Sequence, residues 1–322
     1  MKPSCHLYRR LPRRDTQRPS AVTIGNFDGV HLGHQAILER VRVHADTHGL
    51  APTVMTFAPH PRAFFAARAG KPELAPAQIS TVRDKIECLH QHGMTQIVLT
   101  PFNQALASMS PEEFIRRLLV EGLNTAWLLV GEDFRYGHKR SGDIDLLRHM
   151  GQQYGYQVET LSDVHDAAGL RISSSELRQA LATAELDRAQ SLLGRAYSIT
   201  GHVGHGQKIG RSIGYRTLNH RVPDNCALRN GVYIVRVHGL NPDGPLPGVA
   251  SLGVRPTVTQ QGRRVLETHL LDCDVDAYGK LSSVEFIRFL RDEEKFPDLP
   301  TLVAAIDEDA RRARDHFAFH GL

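Results

Sequence analysis

The chain has 322 residues, 41% hydrophobic and 23% charged, which allows two domains with separate cores and is the composition of a soluble globular protein, not a disordered or fibrous one. No apolar run approaches the ~20 residues that cross a bilayer. The net charge of +4 is a local excess near the start, where Lys2, Arg9, Arg10, Arg13, Arg14 and Arg18 are opposed only by Asp15. Residues 1–19 therefore read as a basic N-terminal arm, solvated and partly frayed. No apolar stretch follows its basic residues, so it is a poor secretion signal; the cytoplasm is the expected compartment, and neither membrane nor nucleic-acid partners are expected. Cys5, Cys88, Cys226 and Cys273 have no Cys-x-x-Cys spacing and form no zinc-type constellation with the histidines, so structural zinc and disulfides are not expected.

Residues 20–185 read as alternating strands and helices. Strands are predicted at 21–24, 53–57, 96–100, 126–130 and 157–161, and helices at about 34–48, 81–92, 111–119 and 144–154. Repeated βα units of this length imply a mostly parallel sheet flanked by helices, with ligands at the carboxyl ends of its strands. The first strand runs into Gly25-Asn26-Phe27-Asp28-Gly29-Val30-His31-Leu32-Gly33-His34, a glycine-punctuated turn that opens a helix. A helix N-terminus offers unpaired N–H groups and partial positive charge, and Gly25, Gly29 and Gly33 let phosphate oxygens approach the backbone. His31 and His34, three apart, share one face of the first turn. A two-histidine metal site without a third ligand is a weaker reading than phosphate binding.

Two further segments belong with this turn. Val130-Gly131-Glu132-Asp133-Phe134-Arg135-Tyr136-Gly137 follows an apolar strand, so Asp133 and Arg135 emerge at the ligand edge of the sheet. Ile172-Ser173-Ser174-Ser175-Glu176-Leu177-Arg178 places hydroxyls at another helix start. Such a triplet is a plain helix cap when it stands alone; beside the histidine turn, Ser174, Ser175 and Arg178 read as a second phosphate cradle.

After a short link near residues 183–197 the texture changes to short alternating runs punctuated by glycine, at 197–203, 231–237, 248–252, 265–271 and 283–290, which predict a small antiparallel barrel. Leu302, Ile306, Ala310, Ala313 and Phe317 then form a helical stripe that packs on the barrel, with Asp298 and Pro300 at its start. In the strand at 265–271, Glu267 and His269 alternate with Leu266, Thr268 and Leu270, so the pair projects to the polar face.

Taken together, the three N-terminal segments resemble the adenylyltransferase half of the bacterial bifunctional riboflavin kinase/FMN adenylyltransferase family. Gly201-His202-Val203-Gly204-His205-Gly206-Gln207-Lys208-Ile209-Gly210-Arg211, with Thr217 and Asn219 after it, resembles the glycine-rich loop and Pro-Thr-Ala-Asn signature of the kinase half. The resemblance spans about residues 20–317 and continues through 248–257, 266–271, 278–280 and 286–296. It implies an α/β, Rossmann-like nucleotidyltransferase domain over 20–185 and a β-barrel riboflavin kinase domain with a terminal helix over 186–322. It further implies that riboflavin is phosphorylated to FMN and FMN adenylylated to FAD, with ATP as co-substrate and Mg²⁺ as cofactor. In the first site it assigns catalysis to His31, His34 and Arg178, and substrate binding to Gly25, Phe27, Asp28, Gly29, Gly33, Asp133, Arg135, Ser174 and Ser175. In the second it assigns Glu267 as general base, Gly206, Lys208, Gly210 and Arg211 to nucleotide binding, and Thr217 and Asn219 to Mg²⁺ and ATP. The signature departs from the family at Arg216 and Leu218, which stand where it has proline and alanine. Three alternatives stand beside this reading: an FMN adenylyltransferase whose kinase half is impaired, a non-catalytic protein that binds flavins or nucleotides, and a nucleotidyltransferase acting on another phosphorylated acceptor, against which the kinase-like C-terminal half speaks.

Overall fold

The computed structural model describes residues 5–12, 18–205, 215–255, 263–273 and 275–321. The first sheet has β1 (His6–Tyr8), β2 (Ser20–Ile24), β3 (Ala51–Ala58), β4 (Gln96–Pro101), β5 (Thr125–Gly131) and β6 (Gln157–Leu161). Their order is β1-β4-β3-β2-β5-β6, and every pairing is parallel. All five residues of β2 are buried, as a strand covered on both faces requires. Alternation divides it between two cores: Ala21 joins Val54, Ile97 and Leu129, whereas Val22 and Ile24 join Met55, Val98 and Leu128. Helices α1 (Leu32–His48), α2 (Pro61–Arg68) and α3 (Val82–Gln91) follow β2 and β3, and α1 and α3 cover the first core through Leu38, Val41, Ala45, Cys88 and Leu89. After β4 come α4 (Gln104–Ala107) and α5 (Pro111–Phe114), which widens into a π-helical stretch over Ile115–Gly122; α6 (Ile144–Tyr154) follows β5. The α5 stretch and α6 cover the second core through Phe114, Leu118, Leu147 and Met150. The strand order reverses between β2 and β5, so their carboxyl ends border the crevice where ligands of open α/β sheets bind.

The second sheet has β7 (Ser198–His202), β8 (Thr217–Arg221), β9 (Gly231–His238), β10 (Leu246–Arg255), β11 (Arg263–Leu270) and β12 (Leu281–Arg291). It is antiparallel throughout, in the order β7-β12-β9-β10-β11-β8. A bridge in which Gly204 N donates to the Asn219 carbonyl at 2.8 Å brings the ends together and nearly closes the barrel. The terminal helix (Leu299–His320) starts where the sequence predicts: the Asp298 side chain accepts from Thr301 N at 2.8 Å. Its Ala310, Ala313 and Phe317 pack on Val232, Ile234 and Val249. Asp309 on the same helix is 3% exposed and takes a forked pair of bonds from Arg291, Nε at 3.1 Å and Nη2 at 2.7 Å.

Three expectations change. His6–Tyr8 is not a frayed arm: it adds an edge strand to β4, because an open parallel edge offers ladder partners to any extended neighbour. The helix expected at the serine triplet is α7 (Ser174–Ala182), and the stretch after it, read as a link, contains one short helix, α8 (Leu186–Leu193), which buries Leu186, Ala189, Leu192 and Leu193 and ends on Gly194 at φ 68°. The terminal helix is thus α9. Finally, the chain divides into two compact units that exchange a segment: one runs up to Pro76 and over Lys85–Ser174, the other comprises Ala77–Asp84 and Ser175 onward. The exchanged segment is held in the second unit by Gln78, whose N–H donates to Asn225 and whose carbonyl accepts from Ala227, each at 2.8 Å. Among the described residues no helix is long and apolar enough to cross a membrane.

Inside the barrel, His220 of β8 is 1% exposed, and its Nε2 lies 2.8 Å from Ser282 Oγ. Burial pushes its pKa down to about 4, from about 6.5 in an unfolded chain. Between these values the unfolded chain binds a proton that the folded one refuses, so this group leaves stability untouched above about pH 6.5 and erodes it as pH falls toward 4, by roughly 3 kcal/mol in all. Denaturant unfolding of the second unit at a series of pH values is expected to decline less steeply from pH 6.5 to 4 in His220→Leu than in the wild type; identical slopes would remove His220 from the account.

Candidate functional site

The turn between β2 and α1 builds the first site. His31 is the N-cap of α1: its Nδ1 accepts from His34 N at 3.3 Å. An accepting Nδ1 carries no proton, so the neutral ring presents Nε2–H as a donor. The His31 and His34 rings stack with centroids 3.7 Å apart, and Phe27 packs on His34 at 5.0 Å. Gly33 lies close under this stack: a Cβ there would stand 3.2 Å from the His31 ring, so the ring would have to give by a few tenths of an ångström. The turn is strained: Phe27 has φ 47° and Val30 has φ 44°, left-handed conformations that cost about 1–3 kcal/mol each and persist only where their surroundings impose them. Gly29, at φ 84°, adopts the same region without that cost. Asp28 is buried, and its carbonyl accepts from Ser174 Oγ at 3.2 Å.

Beneath the turn lies a residue that sequence reasoning missed. Lys85 of α3 is 8% exposed, and its Nζ donates to the Asn26 carbonyl at 3.2 Å, to Thr56 Oγ1 at 3.1 Å and to the Phe57 carbonyl at 3.1 Å. Thr56 Oγ1 in turn donates to the same Asn26 carbonyl at 3.0 Å. Burial pushes the ammonium down to about 8, while the Asp28 carboxylate favours its charged form. The signal was present: Lys85 stands three before Cys88 and four before Leu89, on the buried stripe of its helix.

Two other groups were also missed. Arg171 pairs with Asp133 and with Asp163, each at 3.0 Å, and so ties the loops that follow β5 and β6. Phe57, Phe64, Phe65 and Phe102 meet edge to face at centroid distances of 5.4–5.8 Å at the carboxyl ends of β3 and β4, and Phe65 is 51% exposed. The aromatic run after β3 was their trace in the sequence. Of the predicted residues, Gly25, Phe27, Asp28, Gly29, His31, Gly33, His34 and Ser174 come together around the turn. Asp133 and Arg135 are exposed on the loop after β5, where Arg135 donates to the Phe134 carbonyl at 3.2 Å. Ser175 and Arg178 belong to the second unit; Ser175 is exposed, and Arg178 Nε donates to the Ala77 carbonyl at 2.6 Å.

In the second unit the antiparallel register sets Glu267 of β11 directly opposite Asn219 of β8 and Ser251 of β10. Leu266, Thr268 and Leu270 are buried, and Glu267 and His269 lie on the other face, half-buried. Asn219 Nδ2 donates to the Thr217 carbonyl at 3.3 Å and to Thr217 Oγ1 at 3.5 Å. The approach to Thr217 is tethered: His269 Nδ1 lies 3.0 Å from the Arg216 carbonyl, and the Tyr215 hydroxyl donates to Asp307 of α9. Both departures from the kinase signature are accommodated. Arg216 points to solvent, and Leu218 is buried in the barrel opposite Thr268. Gly206, Lys208, Gly210 and Arg211 lie outside the described residues. Among the described residues no group of three or more His, Cys, Asp or Glu side chains is disposed to hold a metal ion.

Comparison with known proteins agrees with this two-part organisation. The FAD synthetase family matches residues 13–176 and the riboflavin kinase family matches residues 193–317. The chain is 43% identical over 302 residues to the bifunctional riboflavin kinase/FMN adenylyltransferase of Pseudomonas fluorescens, and 40% identical over 301 residues to that of Escherichia coli K12, covering 94% of each chain in both cases. A solved chain from Streptococcus pneumoniae, described as a macrolide-efflux protein, is similar in fold, with a TM-score of 0.75 at 26% identity over 96% of this chain and 98% of that one. With a matching family in each half and relatives aligned over nearly their whole length, the chain belongs to the bifunctional riboflavin kinase/FMN adenylyltransferase family.

Proposed function

We propose that the chain makes FAD from riboflavin in two steps at separate sites, phosphorylating riboflavin at the barrel and adenylylating FMN at the histidine turn. The stacked His31–His34 pair at the start of α1, beside the crevice between β2 and β5, supports the second step most directly. There the FMN phosphate attacks the α-phosphorus of ATP and pyrophosphate leaves. The attacking oxygen is already anionic, so no protein nucleophile is needed; the protein aligns the reactants and stabilises the charge that develops. His31 donates Nε2–H to a phosphate oxygen, and the N–H groups opening α1 add their own dipoles. By resemblance to the family motif, His34 and Arg178 take part in the same transfer, while Asp133, Arg135, Ser174 and Ser175 bind the substrates. The exposed Phe65, packed edge to face against Phe64 and Phe102, offers an apolar surface for the isoalloxazine ring.

At the barrel, Glu267 accepts the proton of the ribityl 5′-hydroxyl as that oxygen attacks the γ-phosphorus of ATP, and ADP leaves. Thr217 and Asn219 supply neutral oxygens, the donor type Mg²⁺ takes when it also binds nucleotide phosphates and keeps much of its water. When bound, Mg²⁺ offsets the negative charge of the transferring phosphoryl group. By resemblance to the family motif, Gly206, Lys208, Gly210 and Arg211 bind the ATP. Riboflavin, FMN and ATP are thus the partners, all small molecules of the cytoplasm.

Replacing both His31 and His34 with Ala is expected to abolish FAD formation from FMN while FMN formation from riboflavin stays near wild type; equal loss of both products would contradict separate sites. Glu267→Gln is expected to lower riboflavin phosphorylation by about 10²–10⁴-fold with FAD formation from FMN retained, since general-base assistance has that magnitude. Unchanged phosphorylation in that variant would exclude Glu267 as the base.

A further inference from the structure

Lys85 uses all three of its ammonium protons on oxygens from two chain segments: the Asn26 carbonyl just after β2, and Thr56 Oγ1 and the Phe57 carbonyl at the end of β3. An apolar side chain could fill this space without the desolvation that a buried charge entails. The charge is therefore informative in where its bonds go. Asn26 immediately precedes Phe27, the first of this turn's two non-glycine residues held at positive φ. Its carbonyl receives Lys85 Nζ and Thr56 Oγ1 together, so the peptide plane joining Asn26 to Phe27 is fixed from below by two donors. Phe27 then packs on His34, and the chain reaches the His31 cap four residues after Phe27. Ser174 Oγ and Gln35 Nε2 hold the Asp28 and Val30 carbonyls further along the turn, and a strained segment of this kind persists only where its surroundings over-determine it.

We propose that Lys85 is a positioning residue for adenylyl transfer: its ammonium locks the Asn26–Phe27 peptide and so holds the strained turn in the form that presents His31 and His34 to phosphate. The lysine acts through the turn and does not itself touch substrate. This role rests on the assignment of adenylyl transfer to the histidine turn.

Two variants of the full chain, Lys85→Met and Thr56→Val, test it, each assayed by product chromatography for FAD from FMN and, in the same protein, for FMN from riboflavin. Lys85→Met is expected to lower kcat for FAD on the order of ten- to a hundredfold, the scale of a misaligned reacting group, with KM for FMN within about threefold of wild type and FMN formation unchanged. Thr56→Val removes the second donor to the same carbonyl, and is expected to lower the same kcat by a smaller factor. Four results would overturn the proposal: a folded Lys85→Met with kcat within twofold of wild type, a change confined to KM, a fall of both activities in proportion with a lowered melting temperature, or no kcat effect from Thr56→Val. If FAD formation survives loss of His31 and His34, the assignment of the site fails; if it is lost there but survives in Lys85→Met, only the role of the lysine fails.

Discussion

One carbonyl oxygen, that of Asn26, takes two hydrogen bonds from beneath, and the turn above it depends on them. From that fixed point the chain passes through Phe27 and Val30 at positive φ, places His31 as the cap of α1, and stacks it on His34. In the proposed adenylyl transfer, this path aims the His31 ring and the N–H groups opening α1 at phosphate. A relaxed turn would keep the same residues and lose their geometry, and transfer between two phosphates needs alignment more than it needs a reactive side chain.

The second site is organised by a different constraint, the register of an antiparallel barrel. Side chains alternate between faces, so a one-residue slip between β8 and β11 would carry Glu267 to the interior and bring Thr268 out. The Gly204–Asn219 bridge, the tether of Tyr215 to Asp307 and the Arg291–Asp309 fork fasten β8 and β12 to their neighbours, and the fork ties α9 to β12. Leu218 fits this frame because it faces inward, away from Thr217 and Asn219 on either side of it. Replacement of the signature alanine by leucine is thus a packing change, and Arg216, exposed at the edge, leaves its carbonyl to His269.

Much of this was legible in the sequence, and the parts that were not share a cause. Hydrophobic alternation and helical spacing located the central strands and most helices to within a few residues, since burial on one or both faces writes a period into the chain. The His31–Gly33–His34 pattern located the turn, since a glycine leaves room close under the His31 ring. What escaped was set by contacts distant in the chain. His6–Tyr8 is a strand because β4 offers an open edge, and residues 77–84 join the second unit through Asn225 and Ala227. Lys85 carried a helical-spacing signal, but its three acceptors lie 28 to 59 residues away, and the sequence alone does not bring them together. Arg171 directly precedes the segment that carries the serine triplet, yet its partners Asp133 and Asp163 are joined to it only by the fold.

The most direct test of two reactions on one chain is a timed chromatographic assay of the wild-type protein with ATP and Mg²⁺, run in parallel on riboflavin and on FMN. The account predicts FMN and then FAD from riboflavin, and FAD from FMN. FAD from FMN with no product from riboflavin would confine the chemistry to the histidine turn and contradict the assignment of the barrel, and no product from either would contradict both sites.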